Sequence, residues 1–400
     1  MSHVMNTYAR QPVAFVRGEG VWLWDASGKK YLDGLAGIAV NTLGYGHPKL
    51  VKALTERIKS GVIHTSNLWQ IPDQEAAADR VCEITGLDEV FFCNSGLEAT
   101  EASIKVARKY GHDKGIAEPA IIVMEKAFHG RSLATLSATG SRKVQAGFEP
   151  LVQGFVRVPL NDLEAVRQAA GNNRNIAAVM IEPIQGEGGI NVSRMEYLRG
   201  LHEICQKQGW LFISDEVQCG LGRTGKWFVY QHAGIQPDVV ALAKGLASGV
   251  PVGACVTGNR AKGVFKPGNH GSTFGGNPLA MTAVVTTLDT MKEEKLMENA
   301  GRVGRFLIEA LKDKLAGLPG VAEVRGMGLM IGIELKQPCG ELVRQALDAG
   351  LVLNVTVENV IRLLPPLVIT EAEAATLVER LVPLVKDFLQ RTAQPRAAAV

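Results

Sequence analysis

Leu211-Phe212-Ile213-Ser214-Asp215-Glu216-Val217-Gln218 and Val239-Val240-Ala241-Leu242-Ala243-Lys244-Gly245 decide the fold. Each is a short apolar run that ends in a charge. Runs that are apolar throughout, with no alternation, mark strands covered on both faces, as in a parallel sheet flanked by helices. In an open sheet of that kind, ligands gather at the carboxyl ends of the strands. An acid and a lysine closing two such runs can therefore face one pocket. Taken singly, each has an ordinary alternative: a helix-capping Asp and a solvated Lys. As a pair they fit pyridoxal phosphate (PLP), for which a lysine carries the cofactor and an acid partners the pyridinium nitrogen.

Similar runs recur at 89–93, 120–124, 177–181 and 252–257, with helical patterns at 97–110 and 197–208. The expected fold is α/β, a mainly parallel sheet wrapped by helices, over residues 48–278. Helical patterns follow at 279–291, continuing towards 305, and at 306–315. Strands at 321–325, 330–334 and 360–364 and a helix at 371–389 come next. These predict a smaller α+β domain over 279–400, with residues 1–47 as an N-terminal segment packed on it. Between 13 and 32 short strands flank a turn in which Gly28 tolerates positive φ. Leu50, Leu54 and Ile58 share one face of a helix at 50–60, and the tail 392–400 is expected to fray.

A chain of 400 residues exceeds a usual single core, so a large and a small domain are expected. With 46% apolar and 21% charged residues, the composition is that of a globular protein. A net charge of +3 gives no reason to expect a nucleic-acid partner. Cys82, Cys93, Cys205, Cys219, Cys255 and Cys339 show no metal-ligand spacing, so no metal is expected and a reducing, cytoplasmic setting is. The first twenty residues do not read as a signal peptide, and no apolar run reaches the ~20 residues of a membrane span.

Gly220-Leu221-Gly222-Arg223-Thr224-Gly225-Lys226-Trp227 nearly matches two nucleotide motifs. A Rossmann turn needs a helix where Trp227-Phe228-Val229 stands, and a P-loop needs Ser or Thr in place of Trp227. The stretch is read instead as a loop at the lip of the Asp215 and Lys244 pocket. Asn94-Ser95-Gly96 opens a helix and can offer its free N–H groups to a phosphate, or it is an ordinary Ser cap. In Phe128-His129-Gly130-Arg131, Phe128 can stack on a planar ring and Arg131 can grip a carboxylate; the alternative is a core Phe with a solvated Arg. His270-Gly271-Ser272-Thr273-Phe274-Gly275-Gly276-Asn277-Pro278 is too polar for a core and reads as a loop facing a ligand or partner.

Together with Glu182-Pro183-Ile184-Gln185-Gly186-Glu187 and Pro237-Asp238, these motifs resemble the class III, or ω-amino-acid, aminotransferases of PLP fold type I, from residue 18 to residue 389. Leu97 and Thr100 depart from the Thr and Asn common there. The resemblance implies a seven-stranded, mainly parallel sheet domain, a smaller α+β domain built from both chain ends, and a homodimer with a shared active site. Lys244 and Asp215 would be catalytic: Lys244 as the PLP-bearing amine that also moves the proton, Asp215 as the partner of the pyridine nitrogen. Ser95, Gly96 and, from the other subunit, Thr273 would hold the phosphate. Phe128 would stack on the ring and Gln218 would meet its hydroxyl, with Glu216 and Val217 also at the cofactor. Arg131 would bind the α-carboxylate of an acylated ornithine, with Ser272 nearby. Glu187 and Arg362 would form a switchable pair, closed for an ω-amine and open for the distal carboxylate of 2-oxoglutarate. The implied donor is N2-acetylornithine, with ornithine, succinylornithine, N-succinyl-diaminopimelate and 4-aminobutyrate as alternatives.

Overall fold

The computed structural model describes residues 3–393. Seven strands form the main sheet: β1 (Glu89–Cys93), β2 (Ala120–Met124), β3 (Phe155–Val158), β4 (Ile176–Ile181), β5 (Leu211–Asp215), β6 (Val239–Leu242) and β7 (Gly253–Thr257). Their spatial order is β1-β7-β6-β5-β4-β2-β3. β7 runs antiparallel to both of its neighbours, and the other pairings are parallel. Every residue of β2, β4, β5 and β6 is buried, which is why these runs show no polar alternation.

Helix α1 (Gly96–Asp113) packs on the sheet through small residues such as Ala99, Ala102 and Ala107. Helix α2 (Met195–Gln208) covers the other face with Leu198 and Leu201, beside Phe212 of β5. Each fully buried Leu, Ile or Phe is worth about 1.5–3 kcal/mol of transfer free energy.

Two helices leave the main sheet, α3 (Pro278–Glu293) and α4 (Leu296–Leu315). The expected continuation to residue 305 breaks at Lys295, whose φ is +54°. The reversal uses neither Gly nor Pro, so the sequence carries no mark of it. Beyond α4, strands Val321–Met327, Met330–Leu335, Asn354–Thr356 and Val360–Leu363 make an antiparallel sheet. Phe15–Glu19, Trp22–Asp25 and Lys30–Asp33 form another sheet, completed by Leu351–Val352 lying parallel to Lys30–Asp33. Helix α5 (Glu371–Ala393) ends the described chain. Thr392 and Ala393 therefore belong to a helix, and the rest of the expected frayed tail, 394–400, lies outside the described residues. Ile58, expected to face inward with Leu50, is 59% exposed. Among the described residues no helix is long and apolar enough to cross a membrane.

Candidate active site

Five parallel strand ends supply the site. β1 ends at Asn94-Ser95-Gly96, where α1 begins. Ser95 Oγ accepts the Glu98 N–H at 3.2 Å, and the Glu98 carboxylate folds back to accept the Asn94 N–H at 2.7 Å. This reciprocal cap leaves the first N–H groups of the helix free beside the cavity that Gly96 and Leu97 line. A Cβ at position 96 would come within 2.6 Å of Val217 Cγ1, so only glycine lets the backbone approach there.

β5 ends at Asp215, and Lys244 follows β6 three residues beyond the level of Ala241, the register partner of Asp215. Both line one cavity of about 480 Å³ with Ser95, Phe128, Val217 and Gln218. Asp215 is 3% exposed; its Oδ1 accepts the Val217 N–H at 3.2 Å, and its Oδ2 lies 2.7 Å from His129 Nδ1. Burial opposes a charge on the His129 ring, but the hydrogen bond and charge of Asp215, with Glu182 behind, outweigh it and raise its pKa. Nδ1–H of His129 donates to Asp215 and fixes one carboxylate oxygen, which leaves the acid aimed.

Lys244 is half-buried and lines this cavity. Burial lowers its pKa; the Glu187 charge opposes the shift and Arg362 reinforces it. A neutral ε-amine is the nucleophilic form. Lys244 itself has φ +40°, a strained conformation held by its surroundings. Thr42 Oγ1 donates to Gly245 O at 2.9 Å and the Leu43 N–H donates to Ser248 Oγ at 2.9 Å, clamping the loop that follows.

A second cavity of about 860 Å³ shares Phe128, Arg131 and Lys244 and opens past Gly37 and Glu187. Behind Glu187, and lining neither cavity, Arg362 is fully buried and donates from Nη1 to Glu187 Oε1 at 2.6 Å and to Gln218 Oε1 at 3.0 Å, while its Nε donates to Asn354 at 3.1 Å. Burial alone would raise the Glu187 pKa; the Arg362 charge and hydrogen bond outweigh that and lower it.

Other expected residues lie elsewhere. The Glu216 carboxylate faces away from the cavity and accepts the N–H groups of Val229 at 2.9 Å and Tyr230 at 3.2 Å, so it locks the chain behind Asp215. Ser272 Oγ accepts from Asn94 Nδ2 at 3.1 Å and from the Gly275 N–H at 3.0 Å, away from the cavities that Arg131 lines. Thr273 lines a separate surface pocket with His64 and Leu68. The loop at 220–226 is not a lip. Gly222 packs on Met291 and Leu367, the Leu329 N–H donates to Arg223 O at 2.9 Å, and the buried Arg223 guanidinium donates to the carbonyls of Leu329 and Pro365. It anchors the main sheet to the C-terminal strands.

His129 and Glu182 received no role from the sequence, although both line the cavity. Glu182 closes the run 177–181 as Asp215 closes 211–214, so the same signal was there to be read. His129 sits between two chosen residues, but its partner is 86 positions away and no local pattern announces it.

The sequence model of the family described as aminotransferase class-III matches residues 4–385. An acetylornithine aminotransferase of Nitrosomonas europaea is 58% identical over 390 residues, covering 98% of this chain and 99% of that protein. Among solved structures, acetylornithine aminotransferase from Elizabethkingia anophelis superposes with a TM-score of 0.85 at 36% identity, over 96% of this chain and 97% of the other. An ornithine aminotransferase from Toxoplasma gondii, described with partial occupancy of PLP at its active site, superposes with a TM-score of 0.93 at 34% identity, over 97% and 94% of the two chains.

Proposed function

The chain belongs to the class-III aminotransferases, and from that premise we propose that it uses PLP to move the terminal amino group of N2-acetylornithine to 2-oxoglutarate, giving N-acetylglutamate 5-semialdehyde and glutamate. The observation that carries this is the convergence of a buried acid, a lysine of lowered pKa and a bare helix N-terminus on one cavity. The same residues fit PLP, since an anion cradle, a flat aromatic wall, a fixed carboxylate and an amine stand around one chamber. When bound, PLP supplies the electron sink that makes a carbon–hydrogen bond next to nitrogen acidic.

The protein's own groups do the rest. Ser95 and the Gly96 backbone hold the phosphate. Phe128 and Val217 would flank the ring, and Gln218 would meet its hydroxyl. Asp215, fixed by His129, would keep the pyridine nitrogen protonated; an adjacent opposite charge is worth about 1–3 pKa units. Glu216 serves from behind by fixing the chain that follows. Lys244 would hold the cofactor, and its Nζ, once freed, would take the proton from the carbon bearing the donor's amino group and hold it for return. Arg131 receives the donor's α-carboxylate. With the Glu187–Arg362 pair closed an ω-amine fits; with Glu187 turned aside, Arg362 receives the distal carboxylate of 2-oxoglutarate.

The proposed assembly is a cytoplasmic homodimer. Leu68, Trp69 and Phe274 are 85%, 71% and 60% exposed. They lie near Ser272 and Thr273, so an apolar contact between copies would bring that loop to the partner's phosphate site.

The test is direct. The purified protein should show a PLP absorption band that is trapped by borohydride and missing from Lys244→Ala. Steady-state rates should favour N2-acetylornithine over ornithine, succinylornithine, N-succinyl-diaminopimelate and 4-aminobutyrate. A protein that stays colourless with added PLP ends the reading, and a better rate with 4-aminobutyrate overturns the donor.

A further inference from the structure

Glu182 directly follows β4 and lines the Lys244 cavity, yet no step above uses it. It is 4% exposed, and its two oxygens point to different loops. Oε1 accepts the Phe128 N–H at 2.6 Å, and Oε2 accepts the Gly186 N–H at 3.2 Å. The first amide belongs to the loop after β2, the second to the turn that carries Glu187. These loops meet again where Gln185 Nε2 donates to Glu125 O at 2.7 Å, and where Gly188 leaves no room for a Cβ beneath Lys126 O.

On its other side Gly186 lies against the Gln218 amide, again with no space for a side chain. Gln218 touches both members of the gate, accepting from Arg362 at 3.0 Å and donating to Glu187 at 3.4 Å. One buried carboxylate thus satisfies two amides that would otherwise be buried without partners, a costly state for either.

We propose that Glu182 is a positioning residue that ties the wall carrying Phe128 to the turn carrying Glu187, so that the cofactor face and the gate over Arg362 keep one spacing. Only its catalytic consequence rests on the transaminase reading; the tie itself is a property of the bare protein.

Hydrogen exchange measured by mass spectrometry on the cofactor-free protein tests the tie. Glu182→Ala removes both acceptors, so segments 125–131 and 184–190 should both exchange at least ~10-fold faster, while α1 and β5 keep their protection. Unchanged exchange in either segment overturns the proposal. Glu182→Gln keeps the shape, should Glu182→Ala not fold, but offers one carbonyl oxygen to two amides. One segment should then open and the other stay protected; protection kept in both also overturns it.

Single-turnover rates test the link to the gate. Glu182→Gln should change the ratio of amine-donor to 2-oxoglutarate half-reaction rates by ~10-fold, and by less than ~2-fold when Glu187→Ala is already present. Equal changes in both backgrounds overturn the link. If the wild-type protein turns over neither substrate, the transaminase reading fails, and the exchange measurement alone decides on the tie.

Discussion

At the scale of single residues, the chemistry rests on charges placed where water cannot attenuate them. His129→Leu removes the donor at Asp215 Oδ2. A hydrogen bond to a charged group is worth about 1.5–3 kcal/mol, so absorbance titration should show PLP binding at least ~10-fold weaker; unchanged affinity would refute the dyad. Glu216 makes a different prediction. Burial pushes its pKa up from 4.5 to about 7, so between those values the folded protein holds a proton that the unfolded chain has released. Stability from this group therefore falls as pH rises from 4.5 to 7 and is level above. The thermal midpoint of cofactor-free Glu216→Gln, relative to wild type, should climb across that window and then flatten; a constant difference would show that the group does not titrate there. What was legible at this scale followed from position. Asp215 and Lys244 stood out because each closes a fully apolar run. Glu216 looked like part of the same feature, but a strand end turns successive side chains to opposite sides.

At the scale of elements, the bare start of α1 matters more than any one side chain on it. Gly96→Ala forces Val217 aside or pushes the helix back, since the added Cβ would lie 2.6 Å from Val217 Cγ1. PLP retention on dialysis should fall ~10-fold or more, a loss typical of overpacking a tight contact. Gly96→Ala combined with Val217→Ala should recover part of it; no recovery would mean that the clash is not the cause. Most strands of the main sheet could be read because burial on both faces leaves unbroken apolar runs. β3 was missed because it lies at the sheet edge, with Arg157 exposed in its middle. The direction of β7 could not be read, since a buried strand has the same composition whichever way it runs. The loop at 220–226 was misplaced because its glycines fit a ligand as well as they fit the helix and strands that do cover it.

At the scale of the whole molecule, the exposed Leu68, Trp69 and Phe274 carry the assembly prediction. Leu68→Asp with Trp69→Asp should shift the light-scattering mass from dimer to monomer and weaken PLP binding with it, since Thr273 would lose its place at the partner's site. A doubly substituted protein that stays dimeric would put the contact elsewhere. One more consequence lies in the short strand Leu351–Val352, which lies parallel to Lys30–Asp33. Its register joins Leu32 to Leu351, so the N-terminal strands lack that sheet neighbour until the C-terminal part of the chain has left the ribosome. At about 5–20 residues per second that delay is on the order of tens of seconds. The edge of Lys30–Asp33 is therefore closed only late, after most of the chain has been made.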